Sequence, residues 1–322
     1  MHVLTDFAGV PDVWRGAAFA IGNFDGVHRG HQVIIGAARE AAARLNCKAG
    51  AIIFEPQPPE FFRPGQPLFR ITLLAEKLRL LEAEGLDLAV VLKFDAALAS
   101  MPAERFIEDV LVRGLGARHI AVGYDFHFGR KRGGTAATLE AHAAAGGYSV
   151  TVIAPQTHAG VAAAQVYSST EIRNLLAAGD VRAAANWLGH WWRVEGTVVD
   201  GDKRGSGLGF PTANIRLDPR QMFGHGIYAA RVLADGAWHD AAAYLGTRPT
   251  YDNGAPVLEV FLLDFSGNLY GKTIAVELIE RLRGDEAFTT IEALKARMQQ
   301  DCARARAILA ETLPFPVLAA RG

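Results

Sequence analysis

The first half of the chain alternates short apolar runs with stretches of helical period, and this alternation restricts the possible folds more than any other feature. The strand-like runs lie at residues 17–21, 49–54, 88–94, 120–123 and 148–153. Helical patterns lie between them, at 31–45, 73–84, 103–112 and 135–145. Strands that are apolar throughout are buried on both faces, as in a parallel sheet covered by helices on each side. The pattern therefore predicts a doubly wound α/β domain.

The second half of the chain has a different pattern, which predicts a second domain. Its strand-like runs, separated by turn signals, lie at 191–200, 226–234, 238–246, 256–265 and 273–283. Short strands at this spacing favour an antiparallel barrel or a sandwich. Helical patterns precede them at 170–178 and 181–188, and an amphipathic helix follows at 290–313. Because 322 residues exceed what one core usually covers, we expect domains at 1–187 and 188–322.

Composition argues against several classes of protein. The formal net charge is −1, so no overall basic excess favours nucleic acid or an anionic membrane. Cys47 and Cys302 are far apart and have no histidine or cysteine neighbours at ligand spacing, which argues against a disulfide framework or a structural zinc site. No run approaches the ~18 apolar residues of a membrane span, and the N-terminus lacks a signal-peptide pattern. We expect a cytoplasmic protein without nucleic-acid or membrane partners, and an oligomer is compatible with the sequence.

The string GNFDGVHRGH, at 22–31, follows the first predicted strand and opens the first predicted helix. Ligands of open parallel sheets bind beyond the carboxyl ends of the strands. Gly22 and Gly30 let the backbone approach a phosphate, and the helix start offers free N–H groups and a positive dipole end. His28 and His31 add donors for a phosphate whose negative charge grows during attack. These features indicate a nucleotide site that acts by positioning and charge stabilisation.

The same string resembles a known family. His28-Arg29-Gly30-His31 matches the H-x-G-H signature of nucleotidylyltransferases, and IGNFDGVHRGHQ resembles the N-terminal module of prokaryotic bifunctional riboflavin kinase/FAD synthetases. Residues 167–189 are similar to that family's second signature, S-S-T-x-x-R. The resemblance implies that Asn23 and Asp25 line the nucleotide pocket. It also implies that a second helix start holds the far phosphates of ATP, through Ser168, Ser169, Thr170 and Arg173.

Two further strings resemble the flavin side of that module. They are FEPQPPEFF at 54–62 and VGYDFHFGRKRGGT at 122–135. The resemblance implies that Asp125 and Phe128 shape the loop on the flavin side. Arg130, Lys131 and Arg132 would form a basic, glycine-flanked loop that attracts anionic FMN.

The string GDKRGSGLGFPTANIRL, at 201–217, indicates phosphate chemistry in the second half. It combines cations with glycines suited to phosphates, among them Gly205 and Gly207. Its G-F-P-T-A-N segment resembles the signature of riboflavin kinases. The resemblance implies that Thr212 and Asn214 approach the metal and the ATP phosphates, and both offer the hard oxygen donors that Mg²⁺ takes.

Downstream motifs extend the resemblance from about residue 15 to about residue 305. PVLEVFLLDF, at 256–265, is similar to the family's L-E-V-H-L-L-D-F, which implies that Glu259 is the general base for the ribityl hydroxyl. Arg283, Phe288 and the final helix are implied to cover the flavin. The implied fold is a doubly wound parallel-sheet nucleotidylyltransferase domain, followed by a mainly antiparallel β-barrel with a C-terminal helix.

Several positions depart from the family pattern: Gln57, His127, Glu171, Ser206, Tyr244 and Phe261. The cations lost at 127 and 206 are expected to weaken anion binding by ~1–3 kcal/mol each. Activity is still expected in both halves, because the departures spare His28, His31, Thr212, Asn214 and Glu259.

The expected function is the synthesis of flavin cofactors. The barrel would transfer the γ-phosphate of ATP, with Mg²⁺, to riboflavin and form FMN. The α/β domain would join FMN to the AMP part of a second ATP, giving FAD and pyrophosphate, and no tightly bound organic cofactor is expected. Two alternatives remain open: a nucleotidylyltransferase of another phosphate ester with a degenerate, ligand-binding barrel, and a flavin-storage or flavin-sensing protein without turnover.

Overall fold

The structure is a computed structural model of the chain. It describes residues 1–158, 165–199, 209–221, 223–247, 256–313 and 315. Contacts between residues divide the chain into two compact units. The first contains Met1–Leu68 and Leu73–Ser168, and the second contains Phe69–Thr72 and Ser169–Val317.

The first unit is built on a parallel sheet, which confirms the prediction from the alternating pattern. Its strands are β1 (His2–Leu4), β2 (Ala18–Ile21), β3 (Ala49–Glu55), β4 (Leu88–Lys93), β5 (His119–Gly123), β6 (His127–Phe128), β7 (Gly134–Thr135), β8 (Ser149–Ile153), β9 (Thr157–His158) and β10 (Gln165–Val166). Six of them form one sheet in the order β1-β4-β3-β2-β5-β8, and every pair in it is parallel. The edge strand β1 was not predicted, because three partly exposed residues give no apolar run.

Helices cover both faces of this sheet. They are α1 (Arg29–Leu45), α2 (Pro58–Phe62), α3 (Leu74–Ala83), α4 (Ala96–Ser100), α5 (Ala103–Arg105) and α6 (Ala136–Gly146). α5 continues as a π-helix over Phe106–Gly114. The helix predicted at 103–112 is therefore present, but most of it is a π-helix. Apolar residues of α1 and α3 pack on one face with Ala20 and Ile53. Residues of the π-helix and α6 pack on the other face with Phe19 and Ile52, so the doubly wound arrangement is confirmed.

The strand order places a ligand crevice beside β2. The chain passes from β2 to β3 on one side of it and returns to β5 on the other side. The strand order therefore reverses at β2, and ligands of open α/β sheets bind at such a switch point, beyond the carboxyl ends of the strands. The loop at 22–28 follows β2, and the turn at 124–126 follows β5. Both predicted site loops of this unit therefore flank the switch point.

The second unit is a closed barrel with helices on its outer face. Its elements are α7 (Ser169–Ala178), α8 (Val181–Leu188), β11 (Trp192–Val199), β12 (Ala213–Arg216), β13 (Gly226–Ala234), β14 (Ala237–Thr247), β15 (Pro256–Leu262), β16 (Thr273–Arg283) and α9 (Ile291–Glu311). The strands close in the order β11-β12-β15-β14-β13-β16, with every neighbouring pair antiparallel. Of the two antiparallel folds that the residues left open, the barrel is correct. The four-residue β12 was not predicted as a strand.

The outer face of the barrel carries an apolar cluster that joins α8 and α9 to the strands. Ala185 of α8 and Ala305 and Leu309 of α9 pack with Trp191 and Ile279. Cys302 lies in the same cluster, and burial raises the pKa of its thiol to about 11. The thiol is therefore protonated at neutral pH and packs as an apolar group.

A segment from the first half of the sequence, Phe69–Thr72, belongs to the second unit. The backbone N–H of Arg70 donates to the carbonyl of Arg220 at 2.7 Å. The carbonyl of Ile71 accepts from Nε1 of the fully buried Trp192, also at 2.7 Å. Contacts of the barrel thus reach residues outside 188–322, and the functional boundary at 187/188 stays a prediction.

None of the helices in the described residues combines the length and the apolar character that crossing a bilayer requires.

Candidate functional site

The loop between β2 and α1 has an unusual backbone that is fixed by burial. Phe24, Gly26 and Val27 have φ values of 46°, 84° and 42°, in the left-handed region. This region is unfavourable for a non-glycine residue, and most of all for a β-branched one. Phe24 and Val27 are nonetheless fully buried, so packing holds the loop in this shape. Strain of this kind is common where a ligand is bound.

The loop delivers both predicted imidazoles to the first turn of α1. His28 is the N-cap, and its Nδ1 accepts a hydrogen bond from the backbone N–H of His31 at 3.3 Å. The two rings stack with their centroids 3.6 Å apart, and the edge of Phe24 contacts His31 at 5.2 Å. Since Nδ1 of His28 accepts, the proton of the neutral ring lies on Nε2. The arrangement offers imidazole donors at a helix N-terminus, where an anion is favoured.

Glycines give this turn its close packing. A Cβ at Gly30 would lie 3.2 Å from Cε1 of His28 and 3.2 Å from Cβ of Tyr167. A Cβ at Gly22 would lie 3.2 Å from the ring of Phe24. Asn23 and the buried Asp25 lie on the same loop. The residues predicted from this string are therefore together in space, and their binding of ATP stays a prediction.

The second predicted phosphate motif begins a helix, as expected. α7 starts at Ser169, directly after Ser168, with Thr170 in its first turn. Nε of Arg173 donates to the carbonyl of Phe69 at 2.7 Å. By its contacts, α7 belongs to the second unit, whereas Ser168 ends the stretch Leu73–Ser168 of the first unit. The role of these residues toward ATP phosphates stays a prediction.

A connected series of phenylalanines lies beyond the carboxyl ends of β3, β4 and β5, and we call it the phenylalanine wall. Its members contact one another at ring centroid distances of 5.3 to 6.4 Å: Phe54, Phe61, Phe62, Phe94, Phe106, Phe126 and Phe128. It runs from Phe126 through the buried Phe106 to Phe62, which is 62% exposed. Only Phe128 was predicted as a site residue. The pair of phenylalanines in FEPQPPEFF was the available signal for the exposed end.

The turn after β5 carries the other residues predicted on the flavin side. A Cβ at Gly123 would lie 3.2 Å from Oδ1 of Asp125, so this carboxylate folds back over the strand end. His127 holds the turn, because its Nδ1 and the carbonyl of Asp125 are 2.7 Å apart. The cations at 130–132 are exposed, as expected for a basic loop. Gln57, another departure, is the buried N-cap of α2.

The barrel brings together three predicted residues of the kinase motif. Asn214 of β12 lies directly opposite Glu259 of β15. Oγ1 of Thr212 donates to Oε2 of Glu259 at 3.5 Å, and Nδ2 of Asn214 donates to the carbonyl of Thr212 at 3.4 Å. These contacts form a hydroxyl–amide–carboxylate group, in which Thr212 and Glu259 are 47 residues apart in sequence.

Two of the departures lie on the same outer face of the barrel. Tyr244 of β14 is directly opposite Glu259, on the side away from Asn214. A Cβ at Gly246 would overlap the phenol of Tyr244, so the ring can occupy this position only because residue 246 has no side chain. Phe261 packs edge-on against Phe210 at 5.2 Å. The sequence named both residues as departures, but the strand register, which a single sequence does not display, was needed to place them on one face of the barrel.

The barrel group fits a divalent cation by its chemistry. Thr212, Asn214 and Glu259 offer hydroxyl, amide and carboxylate oxygens, the hard donors that Mg²⁺ and similar ions prefer. Within the part of the chain that is described, no cluster of three or more histidine, cysteine, aspartate or glutamate side chains could hold a metal. The predicted phosphate glycines Gly205 and Gly207, with the departure Ser206, lie outside the described residues.

Arg283 is engaged in a buried ion pair. Its Nε and Nη2 donate to Oδ2 of Asp301 in α9 at 3.0 and 2.9 Å, and the two side chains are 12% and 8% exposed. The guanidinium carbon also lies 5.7 Å from the ring centre of Phe288. Arg283 therefore fastens α9 to the end of β16, while contact of Arg283 and Phe288 with a flavin stays a prediction.

Replacing Asp301 with alanine is expected to lower the free energy of unfolding by about 3 kcal/mol, because it removes the buried carboxylate that accepts hydrogen bonds from Nε and Nη2 of Arg283. Urea denaturation followed by tryptophan fluorescence measures the change. The control is Glu286→Ala, whose 47% exposed carboxylate lies 3.6 Å from Nη1 of Arg283. This control should change the free energy by less than about 1 kcal/mol. Equal effects of the two substitutions would contradict the assignment.

The fold and the two sites define a two-module protein. A parallel-sheet unit presents imidazoles at a helix N-terminus, where an anion is favoured, and a barrel unit presents a hydroxyl–amide–carboxylate group that suits a divalent cation. A family model described as FAD synthetase matches residues 10–170, and one described as riboflavin kinase matches residues 188–309. The chain belongs to the bifunctional riboflavin kinase/FMN adenylyltransferase family.

Relatives named bifunctional riboflavin kinase/FMN adenylyltransferase match along nearly the whole chain. The protein of Pseudomonas fluorescens is 40% identical over 297 residues, which cover 92% of this chain and 94% of that one. The protein of Haemophilus influenzae is 38% identical over 308 residues, covering 95% and 99%. A crystal structure described as a macrolide-efflux protein from Streptococcus pneumoniae is similar with a TM-score of 0.84 and 28% identity, covering 94% of this chain and 98% of that one.

Proposed function

We propose that this chain is an enzyme with two successive activities. The barrel phosphorylates riboflavin with ATP, giving FMN and ADP. The parallel-sheet unit then joins FMN to the AMP part of a second ATP, giving FAD and pyrophosphate. The observation that carries the proposal is the presence, in one chain, of stacked imidazoles at a helix N-terminus and a separate hydroxyl–amide–carboxylate group on a barrel. The names of the relatives agree with both activities.

In the kinase step, Glu259 acts as the general base. It takes the proton of the terminal ribityl hydroxyl while that oxygen forms its bond to the γ-phosphorus, and ADP leaves. The Thr212 hydroxyl, 3.5 Å from Oε2 of Glu259, orients the carboxylate. A bound divalent cation, proposed to be Mg²⁺, would neutralise phosphate charge, and Thr212 and Asn214 would hold it through their oxygens.

In the adenylyl transfer, the protein positions two phosphates and stabilises charge. An oxygen of the FMN phosphate bonds to the α-phosphorus of ATP while the bond from that phosphorus to pyrophosphate breaks. The attacking phosphate is already anionic, so the step needs no covalent enzyme intermediate. His28 donates through Nε2 and acts with His31 on the charge that develops at the α-phosphate. Gly22, Asn23, Asp25 and Gly30 surround the nucleotide.

Further residues are proposed to hold the two ends of the substrates. Ser168, Ser169, Thr170 and Arg173 hold the leaving pyrophosphate at the start of α7. The exposed part of the phenylalanine wall offers an aromatic surface for the flavin ring system. Asp125 directly precedes Phe126, at the other end of the wall. The cations at 130–132 attract the FMN phosphate before binding.

A product assay tests the proposal. The chain is incubated with riboflavin, ATP and Mg²⁺, and FMN and FAD are quantified over time by chromatography. FMN should appear first, with ADP, and FAD should follow, with pyrophosphate. FAD from supplied FMN without phosphorylation of riboflavin would favour the degenerate-barrel alternative. Stoichiometric flavin binding without either product would favour storage or sensing.

The domain boundary is tested by comparing two fragments, 169–322 and 188–322. Fragment 169–322 should fold and phosphorylate riboflavin without forming FAD, whereas 188–322 should melt at a lower temperature. The physical reason is that the shorter fragment lacks α8. Ala185 packs in the outer apolar cluster, and Arg182 pairs with Glu280 at 2.7 Å. Both fragments lack Phe69–Thr72, so that loss is common to them. Melting followed by circular dichroism, with kinase assays, makes the comparison, and equal melting temperatures and activities would support the boundary at 187/188.

A further inference from the structure

Lys77, in α3, is a fully buried lysine with no place in the sequence motifs. Its side chain has no exposed surface and is one of the largest fully buried side chains among the described residues. Burying an ammonium group costs several kcal/mol unless it is hydrogen-bonded and compensated. A methionine of similar length would fill the same volume without this cost. The buried charge therefore requires an explanation beyond packing.

One hydrogen bond of Lys77 goes to the nucleotide loop. Its Nζ donates to the backbone carbonyl of Asn23 at 2.7 Å. Asn23 immediately precedes Phe24, the first residue of the loop with a left-handed backbone. A bond to a charged donor is roughly twice as strong as a neutral one. Lys77 thus holds the loop at the point where the unfavourable backbone conformation starts.

Two further hydrogen bonds connect this part of the loop to the helix start that carries the imidazoles. The N–H of Val27 donates to the carbonyl of Phe24 at 3.2 Å. Nε2 of Gln32, in the first turns of α1, donates to the carbonyl of Val27 at 3.0 Å. His28, the N-cap, follows Val27 directly. The loop is therefore fixed at its start by Lys77 and at its end by α1, and between these points it sets the position of His28.

We infer that Lys77 is a positioning residue of the adenylyl-transfer site, which acts through the Asn23 carbonyl on the loop that presents His28. The inference rests on the proposed function and adds a residue to it. Lys77 is assigned no contact with substrate. A displacement of catalytic groups by about 1 Å reduces rates by roughly 100-fold, so loosening this loop should act mainly on turnover.

The test compares Lys77→Met, Lys77→Gln and the control Lys48→Met. Lys48 directly precedes β3, at the amino ends of the parallel strands, whereas Asn23 follows the carboxyl end of β2. The Nζ of Lys48 lies 4.9 Å from the ring centre of Trp14. Adenylylation of FMN and phosphorylation of riboflavin are both measured on each purified protein, well below its first melting transition. Lys77→Met should lower kcat for FAD formation roughly 100-fold, with KM for FMN changed by less than about threefold. Riboflavin phosphorylation should stay within about twofold of the unaltered protein.

Lys77→Gln separates positioning from packing. Its amide can donate to the Asn23 carbonyl, so it should recover at least about tenfold of the lost kcat. If Lys77→Met does not fold, the same comparison is made between Lys77→Gln and Lys48→Met, and a loss of about tenfold in kcat for FAD formation is expected. Equal FAD formation by the Lys77 variants and Lys48→Met would overturn the inference. If the protein without any substitution forms no FAD, the proposed function would be overturned instead.

Discussion

His31→Ala abolishes FAD formation from FMN and leaves riboflavin phosphorylation unchanged: this is the expected result if the two activities occupy separate modules. The ring of His31 stacks on His28 at 3.6 Å, at the N-terminus of α1. Its removal would take away a donor proposed to act on the developing phosphate charge, together with the ring that stacks on the second imidazole. Loss of one such donor alone lowers turnover by about 10² to 10³-fold. The combined loss should exceed this and leave no FAD detectable in an ordinary assay.

The substitution should affect catalysis without weakening the helix, because the helix cap does not depend on the His31 side chain. Nδ1 of His28 accepts from the backbone N–H of His31, which alanine retains. His28→Ala would remove the cap as well and mix a structural effect with a catalytic one. His31→Ala is therefore the more informative variant of the pair.

FMN-fed and riboflavin-fed assays of one protein sample measure the separation. The control is His142→Ala, since His142 lies in α6 with its Nδ1 2.9 Å from the carbonyl of Thr138. It should retain both activities. Equal loss of FMN and FAD formation in His31→Ala would refute the assignment of the imidazoles to one module.

The architecture was largely predictable because burial leaves a strong pattern in the sequence. Strands β2 to β5 are largely apolar runs, since helices cover both faces of the parallel sheet. The motif at 22–31 was also readable, because its histidines are three positions apart at a helix start and meet in the first turn. Local spacing alone was sufficient in both cases.

Features that depend on contacts between distant segments were not predictable. β12 is a four-residue strand beside a glycine-rich string, yet its register places Asn214 opposite Glu259. Tyr244 reaches the same group only through the pairing of β14 with β15. Lys77 stands in a helical pattern like any surface lysine, and its contact with Asn23 spans 54 residues of sequence. Arg283 was assigned to the flavin by resemblance, and its ion pair with Asp301 is visible only once α9 is in place.

Glu259→Gln is expected to stop riboflavin phosphorylation and to leave FMN adenylylation intact. Glutamine has the same shape, and its amide oxygen can still accept from the Thr212 hydroxyl, which is 3.5 Å from Oε2 of Glu259. It cannot take a proton from the ribityl hydroxyl. Loss of a general base costs about 10² to 10⁴-fold in rate, so the variant tests the chemistry with little change in the geometry.

The control is Glu280→Gln in β16, which removes another strand carboxylate, 2.7 Å from Arg182, and should leave kinase turnover unchanged. Mixing Glu259→Gln with His31→Ala provides the decisive measurement. Neither variant alone should convert riboflavin to FAD, but the mixture should, because FMN made by one protein can diffuse to the other. FAD from riboflavin by Glu259→Gln alone would remove Glu259 as the base. A mixture that makes FMN but no FAD would mean that adenylylation also needs the Glu259 carboxylate. The two nucleotide reactions would then not be divided between the two modules.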